Sequence, residues 1–358
     1  MNSRKRKEIR QMITLAVTAA VIVALIIVYF VVSNAVSGDG EDTTPSQPDI
    51  GTSGTFTIID EDYTEITALS YTYEGSRVSM HIDENGKWVL DDDEKFPVNQ
   101  EIVVNMSQAI SDYGGYRQII YDPANVSAYG TDDPLYEISA TYYNGDDTTE
   151  THTRRFLIGN QNTLTGYYYF YEDGDSCIYA VEDKIFPYFS YSKTSLFSSA
   201  AVPTPDPEDI ISMTVEFDGG EYRYSADDET TDIAPAKVVM ENLPKQAQLR
   251  YADAADYGVS DADMAKYGLS EPSMRITLDY KEYTTVSASE GNTSAQMTKE
   301  KEFVMLFGDR FTEGEGDDAE EFVYMTDEGS GTVYKVYANR FDKLLAAVSD
   351  NGTGTDGE

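Results

Sequence analysis

The sequence predicts an α+β chain: an N-terminal transmembrane helix, then two tandem duplicated antiparallel-sheet domains, each with a helix after its first hairpin. Three observations predict it. Residues 13–32, ITLAVTAAVIVALIIVYFVV, carry no charge. The corner YGTDDP at 129–134 returns as YGLSEP at 267–272. After each corner, apolar and polar residues alternate with the period of a half-buried strand.

The N-terminal apolar run is long enough for a helix to cross a hydrocarbon core of roughly 30 Å. A secretory signal peptide has a shorter apolar region, about 7–15 residues, ending at a small-residue cleavage site. Here the run continues into SNAVSG, which offers neither such a site nor a lipobox cysteine. Arg4, Lys5, Arg6, Lys7 and Arg10 precede it and SGDGED follows it. The positive-inside bias therefore predicts a cytoplasmic basic tail at 1–12, a signal anchor at 13–33 and an extracytoplasmic remainder, single-pass in the cell membrane.

The formal net charge is −38, from 26 basic and 64 acidic residues. The basic tail leaves the rest more acidic still, and such a field repels nucleic acid and anionic lipid faces before contact forms. The densest acidic runs, Asp91 to Glu94 and Glu313 to Glu321, lack the alternating oxygen ligands and the glycine of a calcium loop. They read as solvated loops, with cation binding as the functional alternative. Cys177 is the one cysteine, so no intrachain disulfide forms and the outer part is held by its core.

Residues 34–65 read as an extracytoplasmic stalk rich in Gly, Ser, Thr, Pro and Asp. A first α+β repeat spans 66–197, a Pro-rich spacer 198–209, a second repeat 210–347, and a disordered acidic tail 348–358. The repeats correspond element by element. SYTYEG at 70–75 matches TVEFDG at 214–219, and Asn85 and Gly86 turn a further hairpin. A helix is predicted from Pro97, with Val98, Ile102, Met106 and Ile110 on one face. Its counterpart begins near Pro235 and stops at Pro244. An irregular crossover leads to each corner.

Tyr136, Ile138, Ala140 and Tyr142 then alternate with polar residues, as do Met274, Ile276, Leu278 and Tyr280. RRFLIG at 154–159 matches FVMLFG at 303–308. YYYFYEDGDSCIYAVEDKIF at 167–186 lies over FVYMTDEGSGTVYKVYANRF at 322–341, a strand, a glycine-centred turn, a returning strand and a short closing helix.

The two corners read as structure. Gly130 and Gly268 can end a helical turn in left-handed conformation, Pro134 and Pro272 start the following strand, and Tyr129 and Tyr267 plug the corner. None of these residues activates a nucleophile or binds a metal.

These residues together resemble the bacterial domain of unknown function 4340 family: the YGL-x-x-P corner, the alternating strand, the apolar strand closed by I/F-G, and the Y-x-V-x(4)-F ending. The resemblance covers most of 66–347, and the second half carries it best; Thr131 departs from the usual leucine. It implies one N-terminal anchor and an auxiliary role beside ABC-2-type transporters. It implies no activity, no cofactor and no catalytic residues.

The residues themselves suggest little catalysis. His81 and His152 are the only histidines, set apart from each other with no metal-ligand spacing. Nucleophile elbow, phosphate loop and dinucleotide fingerprints are absent from the sequence. Carboxylates are so abundant that a glycosidase pair can be drawn anywhere. The 28 tyrosines are more informative. Tyr168 and Phe170 are expected to face the core, leaving Tyr167, Tyr169 and Tyr171, aligned with Phe322, Tyr324 and Thr326, on the other face. Such a row stacks sugars or a partner peptide, or forms a second packed layer. The expected function is thus a membrane-anchored extracytoplasmic binding or scaffolding protein, an accessory component of an envelope or ABC-transporter-associated complex. The alternatives are wall-glycan binding through the tyrosine face and, more weakly, a glycan-active hydrolase.

Overall fold

The computed structural model describes residues 53–120, 126–144, 147–286 and 295–349. The basic tail, the apolar segment 13–33, stalk residues 34–52 and the tail from 350 lie outside the described residues. Among the described residues no helix is long and apolar enough to cross a membrane. The described residues belong to one compact unit.

The chain forms two antiparallel sheets with few helices. Its first part runs β1 (Ser53–Asp60), β2 (Ile66–Tyr73), β3 (Ser76–Ile82), β4 (Trp88–Leu90), helix α1 (Gln100–Ser111), β5 (Asp112–Ile120), the short helix α2 (Val126–Tyr129), β6 (Tyr136–Asn144), β7 (Asp147–Gln161), β8 (Tyr168–Glu172) and β9 (Cys177–Val181). The second runs β10 (Ile210–Phe217), β11 (Gly220–Ser225), α3 (Ala234–Asn242), β12 (Ala254–Asp256), β13 (Met274–Val286), β14 (Ala295–Glu313), β15 (Glu320–Asp327), β16 (Val333–Tyr337) and α4 (Ala338–Ser349).

The 9-stranded sheet is ordered β1-β5-β9-β8-β7-β6-β2-β3-β4, and the 7-stranded sheet β11-β10-β13-β14-β15-β16-β12. Read from β12 back to β11, the smaller sheet follows the order β5 to β3 of the larger one, strand for strand. The larger sheet adds β1 at one edge and β4 at the other.

Alternation sets the strand faces. Ile138, Ala140 and Tyr142 are fully buried on β6, as are Met274, Ile276 and Leu278 on β13, each aliphatic contributing roughly 1.5–3 kcal/mol by leaving water. The helix predicted from Pro97 begins instead at Gln100. The Asn99 side chain accepts from the Glu101 and Ile102 amides as its cap, while Val98 bridges to Phe197. α1 buries Val103, Met106 and Ile110. The closing helix of the first part is a 3-10 segment, Asp183–Phe189, with Pro187 inside it. The second part, without that proline, closes with the α-helix α4.

Three regions differ from the sequence reading, the first being the tail predicted as disordered from 348, whose Val348 is fully buried on α4. Within the stretch 34–65 predicted as a stalk, Ser53–Asp60 instead pairs with β5 as an edge strand and buries Ile59 completely. Arg154 fixes this strand, donating to Glu172 and Glu61 and, at 3.3 Å, to the Ile58 carbonyl. The crossover after α1 is a strand rather than irregular. Its Gly114 and Gly115 look like loop in the sequence, but a Cβ at Gly114 would lie 3.0 Å from the Phe56 carbonyl oxygen, so a side chain there would crowd the pairing with β1.

The proline-rich stretch 198–206 has no regular structure, yet it is packed. Ala200 is buried and its amide donates to the Tyr334 hydroxyl at 2.9 Å. Beside it, Phe96 of the first part meets Tyr257 (5.7 Å), Phe197 (5.7 Å) and Tyr251 (5.9 Å). Tyr257 donates to Asp93 at 2.8 Å, and this bond, with desolvation, pushes its phenol up to about 12. Buried residues of both sheets join one hydrophobic cluster through this joint.

Candidate functional site

The two corners have the same construction. Gly130 and Gly268 take φ values of 72° and 70°, conformations that residues with a side chain rarely adopt. Each corner carbonyl lies against a glycine, Gly159 or Gly308, that does not end its strand as expected but sits inside β7 or β14 where the pairing register shifts. A Cβ at Gly159 would sit 2.0 Å from the Tyr129 oxygen, and one at Gly308 2.0 Å from the Tyr267 oxygen. The I-G and F-G steps are therefore seats for the corners. Pro134 and Pro272 are half-buried at the strand starts. Leu269 packs on Val304, Leu306 and Val333; Thr131, buried at the equivalent place, directs its hydroxyl towards the Val126 carbonyl at 3.5 Å.

The corner tyrosines cover the rows expected to bind. Tyr129 meets Tyr169 edge-to-face at 5.2 Å, and Tyr267 meets Tyr324 at 5.0 Å. Tyr171 is buried with Tyr129, Leu157 and Ile178. Tyr167 stacks on Tyr116 at 5.2 Å. In the second sheet, Tyr324 stacks on Phe311 at 4.1 Å and Phe322 is buried between Phe311 and Tyr337. In both rows the rings pack on neighbouring side chains, with Tyr171 and Phe322 buried and Tyr167, Tyr169 and Tyr324 partly exposed. Tyr267 also donates to Asp256 at 2.5 Å; burial first, then that carboxylate, pushes its phenol up to about 12.

The other singled-out residues are occupied locally. His81 lies 2.7 Å from Asp91, and His152 stacks on Tyr142. Cys177 accepts from Gln118 at 3.1 Å on β9. Among the described residues no group of three or more His, Cys, Asp or Glu is placed to hold a metal ion.

One of several clefts lies where the second aromatic row ends. A cleft of about 510 Å³ is walled by Phe322, Tyr337, Lys335 and Arg340 on one side and by Pro244, Arg250 and Asp253 on the other. Arg250 also lines a neighbouring cleft of about 460 Å³ at the joint, with Phe197 and Tyr251. Tyr337 is 50% and Tyr251 39% exposed. Lys335 sits over the Phe322 ring at 5.6 Å and pairs with Glu313 at 2.7 Å. Sequence reasoning singled out Phe322 here and missed Arg250, Lys335, Tyr337 and Arg340. The available signal was Pro244, which shortens one wall.

No curated protein and no solved structure matches the chain. The family match is narrower than the 66–347 over which the resemblance was read: it begins at β4, takes in α1 and α3, and ends just after β12, before the second corner. Within that span, residues 88–258 match the family model described as Domain of unknown function (DUF4340), which supports the family named by the sequence resemblance.

Proposed function

We propose that the chain is a membrane-anchored extracytoplasmic binding or scaffolding protein, an accessory component of an envelope or ABC-transporter-associated complex, built from two tandem copies of one α+β domain. The coincident strand orders and the two corners of equal geometry support duplication. The observation that carries the binding reading is the cleft beside β16, where half-exposed tyrosine and arginine side chains are gathered next to a packed joint. Tyrosine and arginine are the residue types that dominate protein interfaces. The uncharged run 13–32, flanked by basic residues, supports the anchor.

Wall-glycan binding is the second reading, and it draws on the exposed rings of Tyr251 and Tyr337 rather than on Tyr167, Tyr169 and Tyr171. The hydrolase alternative draws no such support. Among the described residues, Glu137 is held below the ordinary carboxylate range by Arg155, and Asp263 by Lys266. A general acid needs the opposite shift.

Topology is testable with one label. Leu164 is 93% exposed on a turn of the first sheet. In a Cys177→Ser background, Leu164→Cys is expected to react with a membrane-impermeant maleimide on intact cells. Labelling that requires lysis would place the sheets in the cytoplasm and sink the extracytoplasmic reading.

A further inference from the structure

Among the described residues, the second sheet leaves part of one edge of β16 unpaired, an open lane. In the first, α1 runs directly into β5, which pairs with β1 over 112–117 and with β9 over 117–120, with a cleft of about 320 Å³ beside Glu182. In the second, Pro244 cannot continue α3, and the chain curls through two 3-10 turns, Gln246–Gln248 and Tyr251–Asp253. β12 is left with three residues, which pair with β16 at Tyr334 and Val333. Among the described residues, β16 from Lys335 to Tyr337 has β15 on one side and no strand on the other. The 510 Å³ cleft lies along this stretch.

We propose that the lane takes an extended polypeptide segment of a partner protein, added edge-on to β16 and carrying a carboxylate that pairs with Arg340. The proposal rests on the binding reading above and names its surface. A strand edge offers backbone donors and acceptors that another extended chain can match, which favours a peptide over a sugar polymer. Charge selects the partner's side chain. In the cleft Lys335 is paired with Glu313 and Arg250 with Asp253 at 3.6 Å. Glu320 also lines it.

Arg340 has no ion pair with a carboxylate among the described residues, in a chain with 64 acidic side chains. A guanidinium without a carboxylate partner among the described residues is suited to bidentate capture of a ligand carboxylate. A polyanion does not fit, because the net charge of −38 repels it. Tyr337, half exposed beside Arg340, supplies the apolar contact.

The test uses the full-length protein in its native membrane, with Tyr337→p-benzoylphenylalanine as the photo-crosslinking probe. Leu164 and Met297, exposed and outside the cleft, carry the same probe in control proteins. Adducts from position 337 are expected to map to one extended, carboxylate-bearing segment. Their yield should fall at least about tenfold with Arg340→Glu and by less with Arg340→Lys, which keeps the charge but loses the two-pronged donor. A synthetic peptide of that segment should compete. Partner peptides crosslinked from 164 or 297 but not from 337 would overturn the lane and leave the binding reading standing. Glycan attached at 337 would overturn the polypeptide occupant, and adducts from none of the three positions would overturn both readings.

Discussion

Gly308→Ala is expected to destabilise the protein by about 3 kcal/mol or more, the range of severe overpacking. The added methyl would lie 2.0 Å from the Tyr267 carbonyl oxygen and 3.1 Å from the Gly268 carbonyl carbon. Both are backbone atoms, held by the left-handed glycine and by the Leu269 side chain buried beneath them, so neither can swing aside as a flexible side chain would. The neighbouring aromatic layer depends on the same seat, since Tyr267 packs on Tyr324. Gly159→Ala meets the Tyr129 oxygen at the same distance and should behave alike. Gly329→Ala, at a turn with nothing within 4 Å of a Cβ, should cost only the left-handed strain, roughly 1–2 kcal/mol. Urea titration of the three variants separates these cases. Equal midpoints for Gly308→Ala and Gly329→Ala would remove the corner from the list of structural determinants.

Phe96→Ala should cost about 3–5 kcal/mol and uncouple the two sheets. The ring is buried against Phe197, Tyr251 and Tyr257, which lie on both sides of the proline-rich stretch. Little else is available to refill the space, because Gly258 already lies close to Lys95, with a Cβ there only 2.7 Å from the lysine's own. The intact chain should therefore unfold calorimetrically in one transition, and Phe96→Ala in two. Tyr257→Phe, which removes only the hydrogen bond to Asp93, should cost about 0.5–1.5 kcal/mol and keep one transition. Two transitions in the unaltered protein would mean that the joint does not couple the sheets.

Much of this architecture is legible in the sequence because local rules carry it. Ile138, Ala140 and Tyr142 alternate as a strand must, Asn85 and Gly86 turn a hairpin, and the left-handed glycine of each corner stands before a proline. Elements that depend on distant partners were hidden. β1 follows directly on a Gly-, Ser- and Thr-rich stretch, and its short apolar run, Phe56, Ile58 and Ile59, gains its role as a strand from pairing with β5. β5 was masked by Gly114 and Gly115, residues present because another backbone approaches. The aromatic rows show the same limit. Alternation placed Tyr169 and Tyr324 on the outer face, but whether that face meets solvent depended on the corner tyrosines folding over it. The cleft was least visible, since it arises where a strand is shortened; Pro244 marks the break without revealing what is left uncovered.

Crosslinking of the full-length protein in its native membrane, followed by mass spectrometry of the attached species, tests the proposed binding role most directly. The expected result is transporter subunits or other envelope proteins linked to residues 66–347. Recovery of wall glycan alone, or of the protein linked only to itself, would contradict it.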